Sequence, residues 1–147
     1  VYAATVKGLF KTTDGGKKWT LLQSLQKADV RAVALAPSKP NTVYAGIQHG
    51  GILHSSDGGA NWHKISAGMD PNEPVWSIVV NPVNPGEIWA GSQRSGVFRW
   101  DSIEQQWIKV NSGLRTRAVV DLEISQNGQI LYAATTGEGV FRYQKRP

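Results

Sequence analysis

Short apolar runs separated by turn residues recur along the whole chain, and no stretch has the periodicity of an amphipathic helix. Four of these runs are copies of one strand, in which an aliphatic residue is followed by an aromatic residue and by alanine. The copies start 42, 45 and 43 residues apart, so the chain is a tandem repeat of one small unit. They are Val1-Tyr2-Ala3-Ala4, Val43-Tyr44-Ala45-Gly46, Ile88-Trp89-Ala90-Gly91 and Leu131-Tyr132-Ala133-Ala134.

Three further strand types complete the repeating unit. A glycine-led strand follows each copy, and a Trp-led strand begins 11 residues after that glycine in three of the repeats. Each copy after the first is preceded by a nearly continuous apolar run, as expected for a strand covered on both faces. The glycines are Gly8, Gly51, Gly96 and Gly139, the tryptophans are Trp19, Trp62 and Trp107, and the apolar runs cover residues 30–36, 75–80 and 119–124.

This order of strands predicts an all-β chain built from β-propeller blades, each with four antiparallel strands. The repeat length is close to the ~40–45 residues of such a blade. From the axis outwards we name the apolar run A, the strand containing Tyr-Ala or Trp-Ala B, the glycine-led strand C and the Trp-led strand D. The 147 residues then form one propeller domain or part of one, with about 3.5 blades and 14 strands. The predicted blades cover approximately residues 1–23 (partial), 29–66, 74–110 and 117–147 (partial).

The two terminal blades are each predicted to be one strand short. The first lacks strand A and the last lacks strand D. A propeller ring needs about four to eight blades, and an open arc exposes the apolar faces of its end blades. We therefore expect that the chain is not a self-sufficient monomeric ring. It is expected either to be a piece of a longer propeller or to associate with a second copy around a shared axis.

Two of the turns between strands C and D share the pattern Ser/Thr-x-Asp-x-Gly-x-x-Trp. Glycine takes positive φ at little steric cost, and the hydroxyl and carboxylate can accept hydrogen bonds from the backbone of the turn. The tryptophan offers a large apolar surface for packing against the neighbouring hairpin. The first turn contains Thr12, Asp14, Gly16 and Trp19, and the second contains Ser55, Asp57, Gly59 and Trp62.

This pattern resembles the Asp-box (BNR) repeat of β-propellers, which occurs in sialidases, xyloglucan-cleaving hydrolases, sortilin-type receptors and the photosystem II assembly factor family. The resemblance implies that the box is a structural turn on the face away from the ligand. It also slightly favours an exported or lumenal location. In the third repeat Trp107 is kept, but Ser102 stands at the Asp position and Asp101 is displaced by one. This loss argues against any chemistry performed by the box.

Composition and charge narrow the classes of partner. The chain has a formal net charge of +5 and no cysteine. The basic residues are spread over the repeats and are not interleaved with aromatic residues, which disfavours nucleic-acid binding. No apolar run approaches the ~18 residues of a membrane span. The absence of cysteine argues against the sortilin-type receptors, whose propeller is followed by a disulfide-rich module.

The sequence favours a non-catalytic role. Asp14 and Asp57 lie in separate blades, whereas the two carboxylates of a glycosidase must lie within ~5–10 Å of each other. Xyloglucan-cleaving enzymes carry a catalytic Asp shortly after a Tyr-Ala strand, and here only Glu138 could stand in for it. A lone loop histidine, His49, predicts no metal site, and no motif indicates a cofactor. The alternative is a fragment of a glycoside hydrolase of the xyloglucanase or sialidase kind.

The loops between strands B and C and between strands D and A are predicted to share one face, opposite the Asp boxes. Loops on a rigid scaffold commonly carry function, and arginine suits the recognition of carboxylate or phosphate groups. We therefore predict a scaffold, similar to the assembly factors, whose loop face binds a protein or a glycan. The candidate residues on this face are Lys7, His49, Gln93, Arg94, Arg115, Arg117 and Glu138.

Overall fold

The computed structural model describes residues 1–145, and strands make up nearly all of their regular structure. Within these residues there are fourteen strands, and the one helical element is a 3₁₀ turn at Gln23–Leu25. No helix in the described part of the chain is long and apolar enough to cross a membrane. The prediction of an all-β chain with fourteen strands is confirmed.

The strands form four antiparallel sheets, and within each sheet the spatial order follows the order along the chain. Each sheet is therefore a meander, which is the architecture of a propeller blade. The first sheet contains β1 (Tyr2–Thr5), β2 (Gly8–Lys11) and β3 (Thr20–Leu21); the second contains β4 (Val30–Ala36), β5 (Lys39–Ile47), β6 (Gly51–Ser55) and β7 (His63–Lys64). The third contains β8 (Val75–Val80), β9 (Ile88–Ser92), β10 (Gly96–Asp101) and β11 (Gln106–Lys109); the fourth contains β12 (Val119–Ile124), β13 (Ile130–Thr135) and β14 (Gly139–Gln144).

The apolar core lies between successive sheets. β1 packs against β4, β4 against β8, and β8 against β12. Each interface encloses buried apolar side chains from both sheets, and removing this surface from water holds the sheets together. Pairs of side chains that share a cluster are Leu9 with Ala45, Ile52 with Val75, and Val97 with Val119.

The inner strands approach each other so closely that two positions of strand B require glycine. A Cβ atom on Gly46 would lie 2.8 Å from the carbonyl oxygen of Val75. A Cβ atom on Gly91 would lie 2.7 Å from Cγ1 of Val119. Both distances are shorter than any normal contact, so these glycines allow neighbouring sheets to close on each other near the axis.

The link before Val43 differs from the prediction. The sequence pattern predicts that residues 37–41 form a turn, because proline cannot donate a ladder hydrogen bond. In the structure β5 already begins at Lys39 and includes Pro40. Lys39 pairs with Ala36, a register shift follows, and the next paired residue is Val43, so Pro40 lies where the pairing is interrupted. The predicted start of this strand is wrong.

Candidate binding face

The loops predicted to share one face are joined to each other by backbone hydrogen bonds. In each case an N–H of a B–C turn or a D–A loop donates to a carbonyl of the other loop type. These contacts build one continuous loop face, and they fix the turns of adjacent sheets relative to each other. The donor and acceptor pairs are Lys27 to Lys7 (3.2 Å), Gln48 to Asp29 (2.9 Å), Gln93 to Pro74 (3.1 Å), Gly96 to Arg117 (2.9 Å) and Thr136 to Ala118 (3.0 Å).

An ion pair connects two of the candidate residues. Nη2 of Arg115 lies 3.3 Å from Oε2 of Glu138, and both side chains are largely exposed. The pair joins the loop before β12 to the turn between β13 and β14. It engages the one acidic candidate on this face, and an exposed pair of this kind contributes only about 0.2–1 kcal/mol to stability.

Arg94 and Arg117 lie on adjacent segments of the loop face. The carbonyl of Arg117 accepts the N–H of Gly96, which follows Arg94 by two residues in the same turn. The guanidinium of Arg117 donates through Nη1 to the carbonyl of Leu114 at 2.8 Å. Both arginines are exposed. The two arginines thus belong to loop segments that a backbone hydrogen bond joins, and the side chain of Arg117 is oriented by its own loop.

The other three candidates do not belong to this group of charged residues. Lys7 and His49 are exposed on the turns of the first and second sheets, and Gln93 is half-buried on the third. Among the hydrogen bonds and ion pairs of residues 1–145, none joins the side chains of Lys7, His49 or Arg94 to another candidate. Among the seven predicted residues, only Arg115 and Glu138 are joined through their side chains in the described part of the chain.

Two polar pairs at this face were not predicted from the sequence. Glu73 is buried, its Oε2 accepts a 2.7 Å hydrogen bond from the hydroxyl of Ser95, and its Oε1 has no partner among the described residues. Nε1 of Trp76 donates to Oε1 of Gln48 at 3.2 Å. Both pairs join neighbouring loops or sheets. The signal for them in the sequence is only a polar residue next to a strand, Glu73 before β8 and Gln48 after β5, which is too common to be selective.

The histidines do not converge on a metal site. His54 stacks on Tyr44 with ring centroids 4.9 Å apart. Burial, and to a smaller extent the nearby His63, lower the pKa of His54. Within residues 1–145, no three His, Cys, Asp or Glu side chains form a group that could hold a metal ion.

The Asp boxes lie on the opposite face, where a buried hydroxyl organises each turn. The hydroxyl of Ser55 donates to Oδ1 of Asp57 at 2.8 Å and accepts the N–H of Gly59 at 2.8 Å. Oδ1 of Asp57 in turn accepts the backbone N–H groups of Ala60 and Asn61 at 3.0 and 2.9 Å. The hydroxyl and the carboxylate thus bond to the turn's own backbone, whereas the N–H of Gly58 donates outside the turn, to the carbonyl of Asn41 at 2.8 Å.

The first box repeats this network. Thr12 donates to Asp14 at 2.7 Å and accepts the N–H of Gly16 at 3.0 Å, while Asp14 accepts the N–H of Lys18 at 3.0 Å. The N–H of Lys18, and after it the hydroxyl of Thr12, donate to the Asp14 carboxylate and hold its pKa below the ordinary value. Gly16 has φ +92°, a conformation that glycine adopts without strain.

The tryptophans that follow the turns differ widely in burial, contrary to the expectation that each packs its hairpin onto a neighbour. Trp107 is 2% exposed, Trp62 is half-buried and Trp19 is 41% exposed. Trp107 donates through Nε1 to the carbonyl of Ile65, and Trp62 belongs to the apolar cluster that contains Leu22. Each buried tryptophan therefore rests on the preceding sheet, and residues 1–145 contain no sheet before the one that carries Trp19.

The third turn is held by aromatic packing in place of the box. Trp100 occupies the position of Ser55 and meets Trp107 edge to face, with centroids 5.3 Å apart. Asp101 accepts the N–H groups of Ile103 and Glu104 at 2.9 and 3.2 Å. One displaced carboxylate and a Trp pair thus replace the hydroxyl and carboxylate of the other two turns.

A groove of about 740 Å³ lies beside this third turn, on the box side of the molecule. Glu87 lines it and accepts hydrogen bonds from Asn81, Trp89 and Lys145. The carboxylate of Glu87 therefore joins the third and fourth sheets.

Comparison with known proteins supports the fold. No protein-family model matches the chain, and no curated protein matches it. Among solved structures it is similar to an ancestral GH74 enzyme, with a TM-score of 0.73 and 20% identity, over 91% of this chain and 20% of that one. It is also similar to YCF48 bound to a D1 peptide, with a TM-score of 0.69 and 18% identity, over 99% of this chain and 48% of that one. For the GH74 enzyme of Niastella koreensis the TM-score is 0.68 and the identity 16%, over 96% of this chain and 27% of that one.

The chain has the β-propeller fold. It spans less than half the length of each of these three proteins. The neighbours include enzymes and a protein bound to a peptide, so the shared fold does not distinguish between these roles.

Proposed function

We propose that this chain acts as a non-catalytic propeller scaffold that presents its loop face to a protein or glycan partner, in the manner of an assembly factor. The observation that carries the proposal is the charge on the loops of the third and fourth sheets. Arg115 is paired with Glu138, whereas Arg94 and Arg117 stand exposed on adjacent segments. Exposed guanidinium groups suit an acidic side chain or a terminal carboxylate of a protein.

One of the neighbouring structures supports a protein partner. YCF48, which shares the fold, is described in complex with a D1 peptide. A face with cationic side chains also attracts an acidic peptide through long-range electrostatic steering, which makes binding sensitive to salt.

The proposal is tested by reversing the charge of the loop face. We expect a variant with Arg94→Glu and Arg117→Glu to bind a fluorescent acidic peptide roughly tenfold more weakly at low salt, and to lose its salt dependence. The matched control is Lys17→Glu with Lys18→Glu, which makes the same change of charge on the exposed first Asp-box turn. Fluorescence anisotropy across a salt series measures both. Equal weakening by the control pair would contradict a specific loop-face site.

A glycoside hydrolase fragment is the competing hypothesis, because two of the neighbours are GH74 enzymes. Glu138, the one acidic candidate on the loop face, is ion-paired with Arg115, whereas a glycosidase needs two carboxyl groups at its site. We expect no product from xyloglucan or sialosides. Turnover that is present in the wild type and lost in Glu138→Gln would reverse the order of the two hypotheses.

A further inference from the structure

A groove of about 490 Å³ lies between the second and third sheets, on the box side of the molecule. Tyr44, His54 and Ser56 line it from the second sheet, and Trp100 and Ser102 line it from the third. Both sheets have all four strands, and each packs against a further sheet on its other side. The walls of the groove therefore belong to complete blades and do not depend on the first or the last sheet.

The junction between the first and second sheets shows how such a space is closed elsewhere in the molecule. The hydroxyl of Tyr2 and the ammonium of Lys11 both donate to the carbonyl of Gly58, at 3.0 and 3.2 Å. Gly58 belongs to the second Asp-box turn, and its N–H donates to the carbonyl of Asn41 at 2.8 Å. The box turn of one sheet thus supplies the acceptor for two side chains of the sheet before it.

The junction between the second and third sheets lacks this acceptor. Ile103 occupies the repeat position of Gly58 in the turn that has lost its box, and it is 88% exposed. Its N–H donates to the carboxylate of Asp101 at 2.9 Å and not to the preceding link of its own sheet. In the described part of the chain, no hydrogen bond joins residues 101–105 to the second sheet. The changed turn therefore leaves the groove open.

Three polar side chains line the groove without a partner in the described residues. Tyr44 and His54 occupy the repeat positions of Tyr2 and Lys11, and Lys39 lies at the start of β5. Among the hydrogen bonds and ion pairs of residues 1–145, none uses the side chains of these three lining residues. They offer a hydroxyl, an imidazole N–H and an ammonium group, and no carboxylate of the described residues lines the groove. The groove therefore suits an anion that accepts hydrogen bonds.

The rest of the lining is mainly apolar and partly aromatic. Ile88, Pro85 and the indole of Trp100 contribute to the wall on the side of the third sheet. On the opposite wall the rings of Tyr44 and His54 stack with centroids 4.9 Å apart. A concave, mainly apolar site of this size with a few polar groups is typical of sites for small molecules. The ligand that fits has a flat apolar body and one anionic end.

We propose that this groove binds a small aromatic carboxylate, which replaces the carbonyl that the box turn supplies at the preceding junction. The carboxylate accepts hydrogen bonds from the hydroxyl of Tyr44 and the imidazole of His54, and Lys39 provides the compensating charge. The aromatic ring packs against Trp100, where edge-to-face or offset contacts are favourable. The site lies on the face opposite the arginines of the loop face, so it is independent of the function proposed above.

The class of ligand is tested with two probes that differ in charge. Cinnamate and the neutral cinnamamide are each titrated into the 147-residue protein by calorimetry. We expect saturable one-to-one binding of cinnamate and at least about tenfold weaker binding of the amide, because hydrogen bonds to a charged acceptor are the stronger ones. Absence of saturable cinnamate binding, or equal affinities for the two probes, would overturn the proposal.

The role of the unbonded hydroxyl is tested by removing it. Tyr44→Phe keeps the ring and deletes a group that has no partner in the described residues, so we expect unchanged stability and about fivefold weaker cinnamate binding. The matched control is Tyr2→Phe, whose hydroxyl bonds to Gly58 at the other junction. This control should bind cinnamate as the wild type does. Unchanged affinity in Tyr44→Phe would refute the proposed site.

Two further measurements locate the ligand. Lys39→Glu should abolish cinnamate binding, whereas the loop-face variant with Arg94→Glu and Arg117→Glu should leave it unchanged. In NMR spectra of the wild-type protein, cinnamate should shift the indole N–H resonance of Trp100 and leave that of Trp19 in place. This readout holds even if a variant fails to fold. Loss of binding in the arginine variant alone would place the carboxylate on the loop face and contradict the groove.

Discussion

A single buried hydroxyl organises each Asp-box turn. Ser55 is fully buried and contacts both the carboxylate of Asp57 and the N–H of Gly59. The sequence pattern correctly indicates hydrogen bonding inside the turn. It does not reveal that the hydroxyl is buried while the carboxylate stays at the surface, because that depends on how the turn sits against the neighbouring sheet.

Removing this hydroxyl should destabilise the protein measurably. We expect Ser55→Ala to lower the free energy of unfolding by about 1–3 kcal/mol, because a buried N–H and a carboxylate oxygen lose their partner. Urea denaturation provides the measurement. Ser56→Ala is the matched control, since the adjacent side chain is exposed. If both variants lost the same stability, the hydroxyl network would not be the cause.

The stabilisation that the Asp57 carboxylate provides should depend on pH. The backbone N–H of Asn61 is the largest of several donors that hold the pKa of this carboxyl well below its ordinary value. Because the folded-state pKa is lowered, the stabilisation is complete above the unfolded pKa of ~3.9 and is lost as pH falls through the folded value. We expect Asp57→Asn to melt below wild type near neutral pH, with the difference shrinking in the acid range below ~4. A melting series across pH checks this, with the exposed Glu104→Gln as control; a gap that stays constant down to low pH would contradict it.

At the scale of the strand and its turn, the burial of the tryptophan after each turn depends on the preceding sheet. Trp107 is buried on the second sheet, whereas Trp19 remains exposed at the start of the arc. The repeat pattern predicts both tryptophans with equal strength. Their burial differs because it is set by a neighbour that is distant in sequence and present for only one of them.

This difference predicts unequal effects of one substitution. Trp107→Ala should cost about 3–5 kcal/mol, because it leaves a cavity between two sheets. Trp19→Ala should cost about 1 kcal/mol or less, as for other surface positions. Chemical denaturation of the two variants gives the comparison, and each serves as the control of the other. Similar losses at the two sites would show that burial does not govern the role of the box tryptophan.

Elements that depend on local pattern are predictable here, and contacts between loops are not. Strand types, their order and the positive φ of box glycines such as Gly16 follow from period and turn chemistry. The bulge at Pro40 and the ion pair between Arg115 and Glu138 do not, since each depends on register or on two loops meeting across a sheet boundary. The pairing between these loops could therefore not be predicted from the sequence.

At the scale of the whole molecule, the fourth sheet exposes large apolar side chains of a kind that is buried between the sheets elsewhere. Val140 is 67% exposed, whereas Leu9, Ile52 and Val97 at the same repeat position are 0%, 0% and 5% exposed. Tyr132 is likewise exposed, although its counterparts Tyr44 and Trp89 are buried. Large exposed apolar patches of this kind are unfavourable in water and commonly mark interfaces.

We therefore expect the 147-residue chain, prepared by itself, to self-associate. Light scattering should give a mass above the 16.0 kDa of one chain, rising with concentration. Val140→Glu should reduce this mass, because it places a charge in the contact. Ile103→Glu, at another exposed apolar residue, should not. A soluble monomer with a cooperative melt at high concentration would contradict the expectation.

The dependence of each buried box tryptophan on the sheet before it constrains how such arrays gain and lose units during evolution. A duplicated unit inserted inside the array brings its own tryptophan and finds a suitable aliphatic residue, such as Leu22 or Ile65, on the preceding unit. A deletion that removes the unit carrying Leu22 would expose Trp62 unless another unit took its place. Because stability in tandem repeats is approximately a sum of unit and nearest-neighbour contributions, internal duplication preserves every junction. Selection should therefore tolerate drift at the tryptophan of a leading unit sooner than at Trp62 or Trp107.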